Sequence, residues 1–238
     1  MLISHDRKFI FFHVAKVAGL SIREALSAYT VEPDKFKIRR PIKMIDGKVN
    51  PLYSIWESTV IHATALSTQK ELGDLTFNAY FKFAFVRNPW DWQVSMYHFI
   101  LKETAHAHHQ RVKALSGFPE YVKWMINEKK PFEKGATRYQ KDMLCNKAGE
   151  VIVDFVGRFE NLADDFAYIS DCLGLNSSIP FLNQSKHKSY QSYYDSETYD
   201  LIAAHFKDDI ALLGYDFEGY QNTADYLQRK PLVHAKSY

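Results

Sequence analysis

The 238-residue sequence predicts an α/β fold in which a central parallel sheet is flanked by helices. Three apolar runs, at residues 8–14, 81–86 and 151–156, predict the strands. Nearly continuous apolar runs are typical of parallel strands that are buried on both faces. A polar turn and a helical pattern follow each run, and this alternation favours crossover connections between parallel strands. A fourth, shorter strand is expected at residues 58–62.

Seven helices are expected between and after these strands. Glycine commonly ends a helix and proline suits the first helical turn, so Gly73, Gly174 and Pro89 mark three of the boundaries. The expected helices are one from about residue 19 with Ile22, Ala25, Leu26 and Tyr29 on one face, and six more at 63–72, 89–103, 118–128, 138–145, 160–173 and 196–213.

The chain is expected to form one domain over residues 1–238. Its length suits a single α/β domain with insertions, and no internal repeat or boundary divides it. Residues 31–57 contain three prolines but still carry apolar side chains, which predicts an irregular insertion. Residues 221–238 are expected to form a C-terminal tail.

Composition narrows the classes of function. A hydrophobic content of 46% argues against disorder, and a net charge of +2 argues against general binding to nucleic acid or membranes. No apolar segment has the length of a membrane span or a signal-peptide core. The two cysteines, Cys145 and Cys172, are expected to be free thiols, which fits a reducing compartment. We therefore expect a cytoplasmic protein without an integral membrane segment or a nucleic-acid partner.

The loop after the first apolar run carries residue types that suit an anion. Free amides at a helix N-terminus bind anions, and Gly19 would let one approach the backbone closely. Lys16 adds a mobile positive charge and Ser21 a hydroxyl donor. The loop is not a Walker A sequence, which needs two glycines and Lys-Ser or Lys-Thr after the second. A surface lysine in an ordinary strand-to-helix turn stays an open alternative.

A second loop follows the run at 81–86. It places Arg87 at the carboxyl end of a strand, and Ser95 lies one to two turns into the next helix. If that helix begins near Pro89, both side chains can reach one phosphate. An arginine that caps and pairs locally is the structural alternative.

The two loops together resemble the phosphate-binding segments of the sulfotransferases that use 3′-phosphoadenylyl sulfate (PAPS). Residues 16–21 are similar to the segment that binds the 5′-phosphosulfate, and residues 87–95 to the segment that binds the 3′-phosphate. Further matches at 61–62, 153–162 and 214–215 extend the resemblance over about residues 8–217. It is strongest to the carbohydrate branch that includes chondroitin, dermatan and uronyl 2-O enzymes with bacterial relatives.

The resemblance implies a P-loop-like three-layer fold, PAPS as co-substrate and a set of donor-binding residues. Two positions depart from the family pattern: Leu20 where threonine is usual, and Trp92 where arginine is common. Arg158 is expected to close over donor or acceptor, with an ion pair to Glu160 as the structural alternative. The expected donor-binding residues are Lys16, Ala18, Gly19, Leu20, Ser21, Arg87, Ser95 and Arg158.

The resemblance also implies two catalytic residues. Lys16 would stabilise the leaving nucleotide, and His62, at the family's position for the base, would accept the proton of an acceptor hydroxyl. His13 is the alternative base, although a place in the sheet is the favoured interpretation for it. No metal is expected, and the histidines at 106–109 are interpreted as a solvated polar stretch because they lack a zinc spacing.

The acceptor is the least determined part of the prediction. The branch resembled implies a sugar or polysaccharide hydroxyl, and the segments 37–43 and 102–113 are hypothesised to line an acidic glycan. Residues 183–190 are expected to form a solvated loop, with a contact to nucleotide or acceptor as the alternative. A small-molecule kinase and a non-catalytic nucleotide-binding scaffold stay open as other functions. No feature of the sequence indicates an oligomeric state.

Overall fold

A four-stranded sheet forms the centre of the protein. The computed structural model describes residues 1–30, 44–45, 48–49, 62–128, 139–180 and 188–220. The strands are β1 (Leu2–Ser4), β2 (Phe9–Phe12), β3 (Met44–Ile45), β4 (Lys48–Val49), β5 (Phe81–Val86) and β6 (Phe155–Arg158). The sheet has the order β1-β2-β5-β6; β2, β5 and β6 are parallel, and β1 is antiparallel to β2. Among the described residues, β3 and β4 pair only with each other.

Ten α-helices surround the sheet in the part of the chain that the structure describes. Short 3₁₀ turns at Ser27–Tyr29, Phe159–Asn161 and Tyr190–Tyr193 join some of them to their neighbours. The helices are α1 (Gly19–Leu26), α2 (Ala65–Leu72), α3 (Asp74–Ala79), α4 (Pro89–Lys102), α5 (His109–Lys113), α6 (Phe118–Asn127), α7 (Lys141–Leu144), α8 (Leu162–Leu173), α9 (Ser196–His205) and α10 (Lys207–Leu213). The predicted α/β class, with a mostly parallel central sheet, flanking helices and a P-loop-like arrangement, is confirmed.

The strands differ from the predictions at two places. The third strand begins at Phe155, not Val151, because Val151 makes an isolated bridge to Cys145 and the Ile152 N–H donates to the Leu144 carbonyl. Residues 151–152 therefore pair with the chain near α7 rather than with the sheet. Strand β1 was not predicted; it is only three residues long and a polar turn separates it from β2. The strand expected at 58–62 lies, apart from His62, outside the described residues.

The predicted helix at 196–213 is broken in the structure. Phe206 leaves helical geometry, with φ −100° and ψ 20°, and separates α9 from α10. Its side chain is buried, and in α10, beyond the break, the Asp209 carboxylate accepts from the backbone N–H groups of residues 140 and 141. The apolar spacing continues through Phe206, so periodicity does not reveal the break.

The buried apolar side chains form two clusters. One packs around the sheet, and the other is rich in aromatic rings and lies between α4, α6 and α9. Phe83 and Phe85 of β5 are fully buried, and Gly157 of β6 makes room for Phe85. A Cβ atom at Gly157 would lie 2.5 Å from the Phe85 ring, which explains a glycine in a central strand.

Apart from β3 and β4, the predicted insertion at 31–57 lies outside the described residues, as does the predicted tail. Among the described helices, none has the length and apolar character to cross a membrane.

Candidate active site

The two predicted loops meet at the carboxyl edge of the sheet. Strands β2 and β5 are parallel neighbours, so the first loop (residues 15–19) and the second loop (residues 87–89) leave the same edge. The Arg87 Nη1 donates to the Lys16 carbonyl at 3.2 Å, and the Trp92 Nε1 donates to the Ala15 carbonyl at 2.8 Å. The structure thus places Lys16 and Arg87 in one site. Trp92, the departure from the family pattern, holds the first loop in position.

The first loop has a backbone that suits an anion. Lys16 and Ala18 have positive backbone φ values of 62° and 60°, which residues other than glycine rarely adopt. Left-handed residues next to right-handed ones turn successive N–H groups into a concave anion site. Helix α1 begins at Gly19, with no acidic residue in its first turn and no side-chain cap from the described residues. Its partial positive charge is therefore not compensated locally.

Gly19 is required by a contact that the sequence did not indicate. A Cβ atom there would lie 1.7 Å from Nε2 of His13, so any other residue would displace the His13 ring. The predicted close approach of an anion to Gly19 stays a prediction. The next two residues face differently: Ser21 is buried, whereas the Leu20 side chain is 63% exposed.

Lys16 lies in a partly apolar, positively charged environment. Its Nζ is 4.3 Å from the centre of the Phe99 ring, a favourable cation–π distance. Burial first, and then the charges of Arg87 and Lys102, lower the pKa of Lys16 from 10.5 to about 8. A bound anion would reverse this effect, because it would stabilise the protonated amine. The site therefore favours a negatively charged ligand next to Lys16.

Arg87 is buried and oriented by three contacts. Its Nε donates to the Asp91 carboxylate at 2.7 Å, its Nη1 to the Lys16 carbonyl, and its guanidinium carbon lies 4.0 Å from the centre of the Phe159 ring. The pair with Asp91 spans one turn at the start of α4. The predicted structural role of this arginine is thus present, and its predicted phosphate contact would use the remaining guanidinium surface.

Gln140 binds the backbone of Arg87 and Asp209 supports Gln140, and neither residue was predicted from the sequence. The Gln140 amide accepts from the Arg87 N–H at 2.9 Å and donates to the Arg87 carbonyl at 2.7 Å. The Asp209 carboxylate in turn accepts from the backbone N–H groups of Gln140 and Lys141. Both side chains are fully buried. No motif surrounds Gln140 in the sequence, so only the structure connects it to the site.

Asn88 ties the second loop to the C-terminal part of the fold. Its side-chain oxygen accepts from the Trp90 N–H and caps α4, while its Nδ2 donates to the Asp216 carbonyl at 2.8 Å. The Asn88 N–H donates to the Glu160 carboxylate, which also accepts from the Tyr215 hydroxyl at 3.0 Å. The predicted matches at 160 and 215 therefore support the second loop.

Arg158 faces the C-terminal segment. Its Nη2 donates to the Leu213 carbonyl at 2.7 Å, and its guanidinium carbon lies 4.6 Å and 4.4 Å from the centres of the Tyr215 and Tyr220 rings. Among the described residues, none accepts a hydrogen bond from the other terminal nitrogen, Nη1, which is buried. Among the described residues Arg158 forms no ion pair with Glu160, so the structural alternative considered for it is wrong. A nucleotide contact stays a prediction.

His62 is held in one tautomer by the chain at the end of β2. Its Nδ1 lies 2.7 Å from the His13 carbonyl oxygen, which can only accept, so Nδ1 carries the proton and Nε2 the lone pair. Burial lowers the pKa of His62 from 6.5 to about 4, against the hydrogen bond to His13, which raises it. The ring is therefore neutral at pH 7, as a general base must be.

His13 has the position of a structural residue. It is buried at the end of β2, and its ring stacks on Phe11 and lies 4.7 Å from the His62 ring. Burial, with the nearby His62, holds the pKa of His13 well below its usual value. The side chain is enclosed by the fold, and its carbonyl rather than its ring serves His62.

The remaining predicted residues lie on or near α4. Ser95 is buried on that helix, one turn before Phe99. Of the histidines interpreted as a solvated stretch, His109 is a correction: it is buried and its Nδ1 contacts the Ile100 carbonyl at 2.9 Å. Within the described ranges, no cluster of three or more His, Cys, Asp or Glu side chains suits a metal ion.

A family model described as "Sulfotransferase family" matches residues 1–216. The chain therefore belongs to the sulfotransferase family, in agreement with the resemblance of its two loops. Searches among curated proteins and among solved structures give no match. Membership supports sulfuryl transfer in general and leaves the acceptor undefined.

Proposed function

We propose that this sulfotransferase moves a sulfuryl group from PAPS to an acceptor hydroxyl, with Lys16 and His62 as catalytic residues. The observation that carries the proposal is the contact between the two loops, in which the Arg87 guanidinium binds the Lys16 carbonyl. It joins the amides of α1, the Lys16 amine and the Arg87 guanidinium into one positively charged site. A donor with phosphate groups at both the 3′ and the 5′ position of its ribose suits such a site.

The proposed reaction is an in-line displacement. The acceptor oxygen forms a bond to sulfur as the bond from sulfur to the bridging oxygen of the donor breaks, and the electron pair leaves with 3′-phosphoadenosine 5′-phosphate (PAP). Nε2 of His62 accepts the hydroxyl proton, since Nδ1 is already protonated and bound to the His13 carbonyl. The Lys16 ammonium stabilises the charge that develops on the leaving oxygen.

Donor binding is divided between the two loops in this proposal. The backbone from Ala18 to Leu20 and the side chains of Lys16 and Ser21 bind the 5′ end. Arg87 and Ser95 bind the 3′-phosphate, and Arg158 closes the site. The buried position of Arg87 supports this role, because a charge-assisted hydrogen bond is stronger away from water.

A carbohydrate is the proposed acceptor, and the proposed unit is a single catalytic domain. The sugar follows from the branch that the sequence resembles. A cytoplasmic location, expected from two unpaired cysteines, also stays a prediction.

Calorimetric titration with PAP tests the donor site. We expect a dissociation constant in the micromolar range or tighter, loss of most of this affinity in Arg87→Ala, and no binding of ATP with Mg²⁺. Lys147→Gln is a matched control, because Lys147 is exposed in the turn before β6, at the opposite edge of the sheet. Binding of Mg²⁺-ATP in preference to PAP would favour the kinase, and tight PAP binding without transfer to any acceptor would favour a scaffold.

A further inference from the structure

A row of aromatic and imidazole rings begins at the proposed catalytic lysine. The Phe99 ring contacts the Lys16 amine, and the His106 ring lies nearly perpendicular to Phe99 at 5.7 Å between ring centres. His108 follows at 5.5 Å from His106, and Trp124 of α6 at 5.2 Å from His108. All four rings are half-buried, so each keeps part of its surface accessible. We call Phe99, His106, His108 and Trp124 the aromatic–histidine row.

Helix α4 connects this row to the proposed donor site. Ser95, Phe99 and Lys102 stand at positions i, i+4 and i+7, which share one face of a helix. Ser95 belongs to the proposed donor site, and Lys102 is close enough to Lys16 to lower its pKa. The same helix face therefore leads away from the donor, past Lys16, to the row.

The polar edges of the row suit neutral hydroxyl groups. The His106 Nδ1 accepts from the His108 backbone N–H at 3.1 Å, which leaves the proton of a neutral ring on Nε2. Burial and the neighbouring His108 lower the pKa of His106, so the neutral form prevails at pH 7. A neutral imidazole N–H donates to a hydroxyl oxygen. The Trp124 ring, and the face of Phe99 that Lys16 does not cover, suit the apolar face of a pyranose ring.

We propose that the aromatic–histidine row is the acceptor-binding surface and that it binds a saccharide by stacking of sugar rings and by hydrogen bonds from imidazole. This inference rests on the proposed function, because the row can bind the acceptor for transfer only if the adjacent Lys16 is a catalytic residue. It differs from the hypothesis of a purely charged surface at 102–113, since the rings rather than the lysines and arginines of that segment contact the sugar. Trp124 stands at the end of the row that is farthest from Lys16. It is the specificity-determining residue, because it favours saccharides of several rings.

The test uses the full chain saturated with PAP, so that no transfer occurs. Binding of cellotetraose and of a glucuronic acid-containing tetrasaccharide is measured by calorimetry in the wild type, Trp124→Ala, Trp124→Phe and Tyr80→Ala. We expect Trp124→Ala to weaken saccharide binding about ten-fold, which corresponds to the energy of one ring contact. Trp124→Phe keeps a stacking face and should stay within about three-fold of the wild type.

Tyr80→Ala is the matched control, because this half-buried ring precedes β5 at the opposite edge of the sheet. PAP affinity, measured in the same samples, should be equal in all four proteins. Equal saccharide binding by wild type and Trp124→Ala, or no binding of either saccharide, overturns the acceptor surface while the donor site stands. In a separate assay with PAPS in place of PAP, sulfuryl transfer to 4-nitrophenol but to neither saccharide overturns it as well. Absence of PAP binding in the wild type instead contradicts the proposed function itself.

Discussion

The two loops at the carboxyl edge of the sheet are built in different ways. The second loop is held at its own backbone by side chains from distant segments: Gln140 binds both backbone groups of Arg87, and Glu160 binds the N–H of Asn88. The first loop is held through its carbonyl groups, and the donors are Trp92 and Arg87.

This difference makes the first loop depend on the second. Arg87 and Trp92 stand at or just after the second loop, so a change in that loop also moves the segment that carries Lys16. The reverse does not hold, because none of the contacts described for Gln140, Asn88 or Glu160 involves the first loop. We therefore expect changes near the first loop to affect the chemical step, and changes around the second loop to affect both binding and stability.

The largest expected effect is that of His62→Ala. Removal of a positioned general base lowers turnover by about 10² to 10⁴. PAP affinity should stay within about two-fold, because His62 is bound to the His13 carbonyl and not to the second loop. Single-turnover transfer from labelled PAPS, together with PAP calorimetry, measures the two quantities.

His5→Ala serves as its control, since His5 contacts Tyr80 at the opposite edge of the sheet and should leave both quantities unchanged. Near-normal turnover of His62→Ala would show that another group accepts the proton.

Gln140→Ala tests the support of the second loop. It leaves the buried N–H and carbonyl of Arg87 without partners, which should lower the free energy of unfolding by about 2 kcal/mol. PAP affinity should fall about ten-fold, equivalent to about 1.4 kcal/mol, because Arg87 loses its orientation. Urea denaturation and calorimetry measure these effects.

Gln69→Ala is the comparison for that variant, because Gln69 binds Asp74 in an exposed pair away from both loops. If Gln140→Ala lost stability but bound PAP as tightly as the wild type, the second loop would not need this support for ligand binding.

The pH dependence of transfer tests the environment of Lys16. In the proposed mechanism the protonated amine is the active form, and its pKa of about 8 in the free protein means that a rise in pH through this value removes the charge. We expect kcat/KM for the donor to be constant near pH 6 to 7 and to fall about ten-fold per pH unit above about 8.

Lys16→Arg should remove this alkaline decline, since a guanidinium stays protonated up to about pH 12, although its different geometry lowers the rate. An unchanged decline in Lys16→Arg would assign the titration to another group.

The smallest expected effect concerns the backbone of the first loop. Ala18 has a left-handed conformation that costs an alanine more than a glycine, so Ala18→Gly should raise the free energy of unfolding by about 1 kcal/mol. Ala25→Gly, inside the helix α1 that follows Ala18, should lower the free energy of unfolding by about the same amount. Urea denaturation measures both changes in the free energy of unfolding, and opposite signs for the two variants support the strain at Ala18. A lower free energy of unfolding in both variants would show that position 18 has an ordinary backbone conformation.

Local patterns predicted the parts of the site that lie next to strands. The runs that form β2 and β5 are buried on both faces, and glycine, proline and charged residues follow them directly in the chain. Lys16 and Arg87 were therefore identifiable as candidates.

Residues that act through long-range contacts were not identifiable in this way. Gln140 lies 53 residues from Arg87, and Asp209, in the helix beyond the break at Phe206, binds Gln140 across 69 residues. The apolar spacing at 151–156 resembled a strand, but its first residues pair with the chain near α7. Periodicity reports which side chains are buried and not which partner covers them.

The sequence by itself determined the α/β alternation, the two strand-to-helix loops and the presence of Lys16 and Arg87 in them, because these follow from neighbours along the chain. Tertiary structure alone decided that the Arg87 guanidinium binds the Lys16 carbonyl across 71 residues, that His62 carries its proton on Nδ1, and that the pKa of Lys16 falls to about 8. Tautomer, pKa and the meeting of two loops depend on distance and burial, and only the packing of remote segments sets these quantities.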